Sequence, residues 1–391
     1  MTEDRPGVFA AEDPVPTRDP SQRLADVWRL LAESEFRDYC PIYERIALAI
    51  ADDADMIARL VGITDEKKIE PVLCLAAIKH LASADPGGPL ARAYAGGVGH
   101  VDPWPPFRAL LVERFVEVAG IMRTRSIQTN EVGRASASTI ALGVVAGLLP
   151  AEQVHLVEIG PSAGLNLALD RFRIDYRRGD HTITSGPVDA EVTLTCVLVG
   201  PTDPPIPPTI PPITGRRGVD PNPLDVGNDD HMQWLEACLW PGVEDRLMRF
   251  RSAVRLARLD PPQLVTGSAP DTIFDLLGAT PSEAVPVVLS TWVLAYLAPD
   301  DRARTATAIA RWATERQRPV AAITLEYPSI APWIPAPPRP APIDDPRGAS
   351  LLGVGVWGPD GHQGLPLAWV QAHGQWIDWF ENTPAATATN E

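Results

Sequence analysis

The chain has 391 residues, enough for two domains or one large domain with an extension, and 45% of them are hydrophobic, enough for a sizeable core. A net charge of −16 opposes both a phosphate backbone and an anionic membrane surface, which excludes nucleic acid and membrane as expected partners. No apolar run reaches the roughly 18 residues of a membrane span, and Cys40, Cys74, Cys196 and Cys238 lie far apart with no C-x-x-C, which suggests neither a metal site nor a disulfide framework.

Residues 1–20 are acidic and proline-rich and lack the basic start and apolar stretch of a secretory signal. They read as a mobile leader on a cytoplasmic protein. Residues 21–125 read as a helical domain. "RLADVWRLLAESEF" places Leu24, Val27, Leu30 and Leu31 at helical spacing. "PIYERIALAIADDADMIARLVG" and "IEPVLCLAAIKHLASA" continue the pattern. "PPFRALLVERFVEVAGIM" puts Phe107, Leu110, Leu111, Phe115, Val118 and Met122 on one face of a helix opened by Pro105 and Pro106.

The character changes over residues 126–380. "VHLVEIG" is a short, nearly continuous apolar run, as expected of a strand buried on both faces of a parallel sheet. "RRGVDPNPLDV", "PPQLVTGSA", "AVPVVLSTWVLAYL" and "RPVAAITLEY" repeat it, with helical segments such as "DDHMQWLEACLW" between them. Strands alternating with helices predict an α/β, mostly parallel sheet. "ASLLGVGVWGPDGHQGLPLAWVQAHG" reads as a terminal hairpin about a Pro-Asp-Gly turn. Residues 201–212 and 331–346 are proline-rich and read as extended loops, with a WW or SH3 ligand as a weaker alternative. Residues 381–391 read as a tail.

The segment "HLVEIGPSAGLNLALDRF" admits two chemistries. Gly160, Ser162 and Gly164 spell G-x-S-x-G, the nucleophile elbow of a serine hydrolase. They also spell strand, acid, glycine turn and helix, which is how a Rossmann-like domain cradles a cofactor. The hydrolase reading needs strands and an oxyanion loop upstream, where the sequence is helical. For the cradle, Glu158 stands two residues before Gly160, and the glycines let backbone approach a ligand closely. A tight turn with no ligand fits the same residues.

The order of these motifs resembles the class I S-adenosylmethionine-dependent methyltransferase fold, over roughly Thr129 to Phe380. Glu158, Gly160, Ser162, Gly164 and Asn166 correspond to its first motif, around the methionine part of the cofactor. The resemblance makes Asp220, with Asn222 after it, the acid that receives the ribose hydroxyls. Gly267 and Ser268 would pass near adenine, and Ser290, Thr291 and Trp292 would meet the substrate. The sequence departs from the family at Ser162, where Gly is usual, and at Ser268, where an acid is common. Asp220 also comes late, far beyond the roughly 20 residues of a compact dinucleotide unit, so an inserted β element is expected at about 175–215. The whole chain also resembles an actinobacterial family known only as a domain of unknown function, through "QTNEVGRASA", "VEIGPSAGLNLALDRFRIDY", "RRGVDPNPLDV" and "WLEACLWP". The implied function is methyl transfer from S-adenosylmethionine to a small molecule. A non-catalytic cofactor-binding or regulatory protein of the same fold is a second reading, and the hydrolase a third.

Further candidates flank these motifs. Asparagine is rare, yet Asn130, Asn166 and Asn222 fall inside the motifs and Asn228 close behind, while Asn382 and Asn390 lie in the tail; turn and cap chemistry is the plain alternative. Glu131 and Arg134, spaced i, i+3, are either a local ion pair on a helix capped by Thr129 or Asn130, or a wall of the site. Arg134 or Arg217 is a candidate to bind a carboxylate. Trp292 and Tyr296 are core residues or a substrate platform. Glu326 ends "AAITLE", as a site acid or a solvated strand end.

Overall fold

The computed structural model describes residues 19–37, 39–63, 71–95, 101–149, 152–242, 244–341, 349–359 and 361–381. All but the last two residues of the leader, and the tail after Glu381 with Asn382 and Asn390, lie outside them. The chain divides into two compact units. No helix among the described residues is long and apolar enough to cross a membrane.

The first unit takes the described residues up to Ile127, together with 240–242. Its helices are α1 (Pro20–Leu31), α2 (Pro41–Asp52), α3 (Ala54–Val61), α4 (Pro71–Ala82), α5 (Pro89–Ala95), α6 (Trp104–Glu113) and α7 (Phe115–Thr124). Two details differ from the sequence reading. On α1 the buried residues are Leu24, Ala25 and Trp28, while Val27 and Leu30 are exposed, because the large indole takes the core position. The helix expected to run through Phe107 and Met122 breaks at Arg114 (φ −106, ψ 25) into α6 and α7. Trp240, distant in sequence, packs edge-on against Phe36 at 4.8 Å between ring centroids.

The second unit is built on one sheet of eleven strands: β1 (Gln153–Ile159), β2 (Phe172–Arg178), β3 (His181–Ser185), β4 (Val192–Val199), β5 (Ile213–Asp220), β6 (Gln263–Thr266), β7 (Ala284–Thr291), β8 (Val320–Glu326), β9 (Ala349–Gly358), β10 (Gly361–Gln371) and β11 (Trp376–Trp379). Its order is β3-β2-β4-β11-β10-β9-β8-β7-β1-β5-β6. From β6 to β8 every pairing is parallel. The hairpin of β9 and β10 is antiparallel. It does not end the sheet: β11 continues from β10 and pairs with β4, so the residues expected as an insertion become three strands of the same sheet.

Helices α8 (Ala135–Leu148), α9 (Asp229–Ala237), α10 (Glu244–Leu259), α11 (Ala269–Gly278) and α12 (Pro299–Arg316) complete this unit. Strand side chains alternate between faces, and β1 feeds two cores. Val154 and Leu156 join the core that contains residues of α8, α9 and α10, while Val157 and Ile159 join the one made with α11 and α12. The first proline loop packs on α8, and the described part of the second packs on β9. Pro207 lies where Gly143 has no side chain, and Trp333 and Ile334 lie over Gly355 and Gly353.

Chain order places the site. After β1 the chain first builds β2, β3 and β4 at the far edge, then places β5 and β6 on one side of β1 and β7 and β8 on the other. That reversal between β1 and β7 is a topological switch point, and open α/β sheets bind ligands beyond the carboxyl ends of the strands there.

Candidate functional site

Glu158, Asp220, Thr291 and Glu326 all lie at or next to the carboxyl ends of neighbouring strands. The turn after β1 is left-handed three times, at Gly160 (φ 64), Ser162 (φ 56) and Gly164 (φ 71). Gly160 cannot carry a side chain, since a Cβ there would meet Val293 Cγ2 at 2.2 Å. Ser162 holds a conformation that costs a non-glycine residue about 1 kcal/mol. All its polar groups are engaged. Its N–H donates to Asp220 Oδ2 at 3.0 Å, its carbonyl accepts from the Leu224 N–H at 2.9 Å, and its hydroxyl donates to Gln128 Oε1. The segment after Gly164 is a short 3-10 helix, Leu165–Arg171, kinked at Ala168, and not the α-helix the sequence suggested. A short 3-10 piece carries little dipole, so the ligand case rests on side chains and the turn.

Gln128 escaped the sequence reading. Its amide accepts from Ser162 and donates to the Asn222 carbonyl at 2.7 Å, joining the turns after β1 and β5. The rare asparagines gave a signal two residues away, because Asn130 donates to the Pro161 carbonyl at 2.6 Å in that same turn. Asn228, by contrast, is a helix cap, accepting from the Asp230 and His231 amides.

Asp220 Oδ2 takes the Ser162 amide and Oδ1 takes the Asn222 amide at 2.8 Å. Each carboxylate oxygen keeps a further lone pair. Glu158 is different. It is 3% exposed, and its Oε2 has no hydrogen-bond partner among the described residues. Burial pushes its carboxyl up to about 8, opposed by Arg134 and reinforced by Asp220. Asn130 Oδ1, Asn166 Oδ1 and Glu326 Oε2 are also buried without partners among the described residues. Buried polar atoms are ordinarily satisfied, and Glu158 stands directly before the left-handed turn that follows β1.

Several candidates stand elsewhere than the sequence implied. Glu131 does not pair locally with Arg134, and neither Thr129 nor Asn130 caps the turn. Glu131 itself caps Val132–Arg134 by accepting from the Gly133 amide. Its Oε2 lies 2.6 Å from Arg246 Nε and 3.3 Å from His373 Nδ1. Burial opposes ionisation of Glu131, but these partners outweigh it and hold the carboxyl far below its usual range. Arg134 is buried and donates to the Ala372 and Thr291 carbonyls, both at 3.0 Å. Arg217 lies beside Val157 in the β1–β5 register, on the opposite face from Glu158, and does not join the cluster.

Ser290 is fully buried and donates to Glu326 Oε1 at 3.0 Å. Glu326 is no solvated strand end: the same oxygen accepts the Val293 and Leu294 amides, anchoring the turn after β7. Trp292 and Tyr296 part company. Trp292 (φ 57) is partly buried, donates to Ser350 Oγ at 2.7 Å, and packs by Tyr327 and Arg134, while Tyr296 is 83% exposed. The Gly267 amide donates to the Asp220 carbonyl at 3.1 Å, and the exposed Ser268 donates to Asp271 at 2.5 Å.

Two cavities lie away from this edge. One of about 610 Å³ in the helical unit is lined by Arg45, Asp52, Asp53, Asp55 and Trp104 among others. One of about 300 Å³ lies between Thr139, Asp170, Phe172 and the 209–212 loop. Among the described residues no cluster of His, Cys, Asp and Glu is arranged to hold a metal ion. No curated protein matches the chain. Residues 25–379 match one family over most of the chain, and the protein belongs to it: the family described as "Uncharacterized protein conserved in bacteria (DUF2332)".

Proposed function

We propose that the chain is an S-adenosylmethionine-dependent methyltransferase acting on a small molecule, with its cofactor held at the carboxyl edge of β5, β1 and β7. The observation that carries this reading is the acid-x-Gly-x-Ser-x-Gly turn at the switch point, left-handed at Gly160, Ser162 and Gly164 and preceded by the unpartnered buried Glu158. The departure at Ser162 is accommodated, because serine adopts the left-handed conformation that glycine would supply and three hydrogen bonds hold it there.

The residues fit the cofactor in kind. Glu158 and Asn166 offer unpartnered oxygens to an amine, Asp220 keeps lone pairs for two hydroxyls, and Gly267 and Ser268 stand one strand further on. Bound S-adenosylmethionine supplies an electrophilic methyl group. The chain's part is positioning and exclusion of water, which requires no diagnostic base. A negatively charged chain favours a small acceptor over a nucleic acid. Four free cysteines support a reducing compartment, and hence the cytoplasm.

Calorimetric titration of the wild type with S-adenosylmethionine and S-adenosylhomocysteine tests the reading. Micromolar binding is expected, and no heat at millimolar ligand overturns it. Binding with no transfer to any metabolite pool would favour a non-catalytic protein of the same fold. One observation favours the hydrolase as a second reading: the left-handed Ser162 at a strand-to-helix turn. Its hydroxyl, however, is hydrogen-bonded to an amide, which is no base. Labelling of Ser162 by a fluorophosphonate probe would support that reading.

A further inference from the structure

We infer that the cavity between α8, the start of β2 and the 209–212 loop is a second ligand site, one that takes an uncharged, mainly apolar molecule of about two rings carrying a hydroxyl group. All its lining residues belong to the second unit, and none of them is among those placed at the cofactor edge, so the inference is independent of the cofactor reading.

The cavity has a volume of about 300 Å³, at the lower end for ligand pockets. An apolar cavity of roughly 150 Å³ admits one benzene ring, which sets two rings as the scale here. Leu169, Phe172, Ile210, Pro211 and Pro212 supply the apolar lining. The walls are held in place. On one side the Gly186 backbone closes on Phe172: a Cβ there would meet the Phe172 carbonyl oxygen at 2.1 Å, and the φ of 89 suits glycine. On the other the proline loop is pinned at three points. Ser185 Oγ donates to the Pro207 carbonyl at 2.6 Å, the Gly186 amide to the Pro208 carbonyl at 3.0 Å, and the Val154 amide to the Pro212 carbonyl at 3.0 Å. A preformed site spares a ligand the cost of ordering it.

Two lining residues carry the polar part. Thr139, on α8, is 3% exposed, and its hydroxyl has no partner among the described residues. Asp170 accepts from Arg216 Nη2 at 2.9 Å through Oδ2, while its buried Oδ1 has no partner among the described residues. Unanswered buried atoms cost free energy that a ligand recovers. Charge decides the kind of ligand. Arg216 already answers Asp170, so a cationic ligand would meet Arg216 as well as the acid. An anion would meet Asp170, while Arg216 is spent on Asp170, Asp260 and the Leu167 carbonyl. Pro211 and Pro212 have no N–H to offer an anion either. A neutral hydroxyl suits both residues, as a donor to a carboxylate oxygen and as an acceptor from a threonine hydroxyl.

The probe is 2-naphthol, uncharged at pH 7, with 2-methoxynaphthalene, 2-naphthoate and 2-naphthylmethylamine as its donor-free, anionic and cationic counterparts. Saturation-transfer NMR titrations of the full chain read all four. Expected are a Kd of about 0.1–1 mM for 2-naphthol and binding ~10-fold weaker or more for the other three. Ile210→Trp fills the cavity from the loop and abolishes naphthol binding. Thr139→Val removes a hydroxyl that no described group satisfies, so its Tm equals or exceeds that of the wild type, while naphthol affinity falls about 3- to 10-fold. Thr139→Val decides the matter if Ile210→Trp fails to fold. No binding of 2-naphthol at millimolar concentration, equal or tighter binding of any of the three counterparts, or unaltered binding in either folded variant overturns the inference.

Discussion

His155 and Glu158 lie three residues apart on β1, each 3% exposed, and burial drives both to the neutral form. Among the described residues neither His155 ring nitrogen has a hydrogen-bond partner, and neither does Glu158 Oε2. Their neighbours differ. The His155 ring fills the space left by Gly215, where a Cβ would meet its Cε1 at 2.1 Å, and the charge acting on it is Arg217. Glu158 stands before three left-handed residues, and the charges that act on it are Arg134 and Asp220. An unsatisfied buried group is therefore weak evidence of function by itself. At the amino end the ring packs over Gly215, and at the carboxyl end the acid meets a left-handed turn and two charged groups.

Breaking the glycines at the two ends should separate packing from backbone constraint. Gly160→Ala meets Val293 and forces alanine to φ 64, and should cost about 3 kcal/mol or more. Val293→Ala should relieve only the clash in the double variant, leaving the backbone penalty. Gly215→Ala, which has no left-handed φ, should cost about 1–3 kcal/mol, and His155→Ala should recover most of it. Thermal or denaturant unfolding of the single and double variants reads both cycles, and full rescue at Gly160 would contradict the distinction.

The two neutral groups should tilt stability in opposite directions with pH. Glu158 has a raised folded pKa, about 8 against an ordinary value of 4.5. The native state holds its proton while the unfolded state loses it, so this group costs stability as pH rises between those values, with a slope of ~1.4 kcal/mol per pH unit. Glu158→Gln should match the wild type near pH 4 and exceed it by about 3 kcal/mol at pH 7. His155 has a lowered folded pKa, about 4 against 6.5. Its cost grows as pH falls through that window, and reaches about 2 kcal/mol at pH 5. His155→Leu should flatten the acid side of the stability profile and leave the neutral side unaltered in slope. Denaturant titrations from pH 4 to pH 8 check both, and parallel profiles for wild type and Glu158→Gln would show that Glu158 is ionised when folded.

The smallest effect belongs to Ser162. Ser162→Gly removes a left-handed serine, worth about 1 kcal/mol, and also the hydroxyl bond to Gln128, worth about as much. Net stability should change by less than about 0.5 kcal/mol. Gln128→Ala, which loses the bonds to both Ser162 and Asn222 without relieving strain, should be destabilising by about 1 kcal/mol.

The same contrast explains what the sequence revealed. β1, β7 and β8 were legible because strands buried on both faces read as continuous apolar runs. The turn at Gly160–Gly164 was legible because few residues adopt that backbone. What the sequence hid depends on partners far along the chain. Glu131 pairs with Arg246 and His373, and α10 and the segment after β10 carry no pattern that announces it. Gln128 carries no local signal, because its two partners come from the turns after β1 and β5. The path by which β2, β3 and β4 join the sheet through β11 is hidden for the same reason, as pairing between strands so distant leaves no local periodicity.

Hydrogen exchange along β1 and its neighbours, measured with and without saturating S-adenosylhomocysteine, tests the central claim most directly. The two ends of one strand then serve as each other's control. Ligand should slow exchange in peptides covering 158–166 and 220–224 and leave those covering 153–156 and 213–215 unaltered. Unchanged exchange throughout, or protection confined to the His155 end, would contradict the assignment of the carboxyl edge as the ligand site.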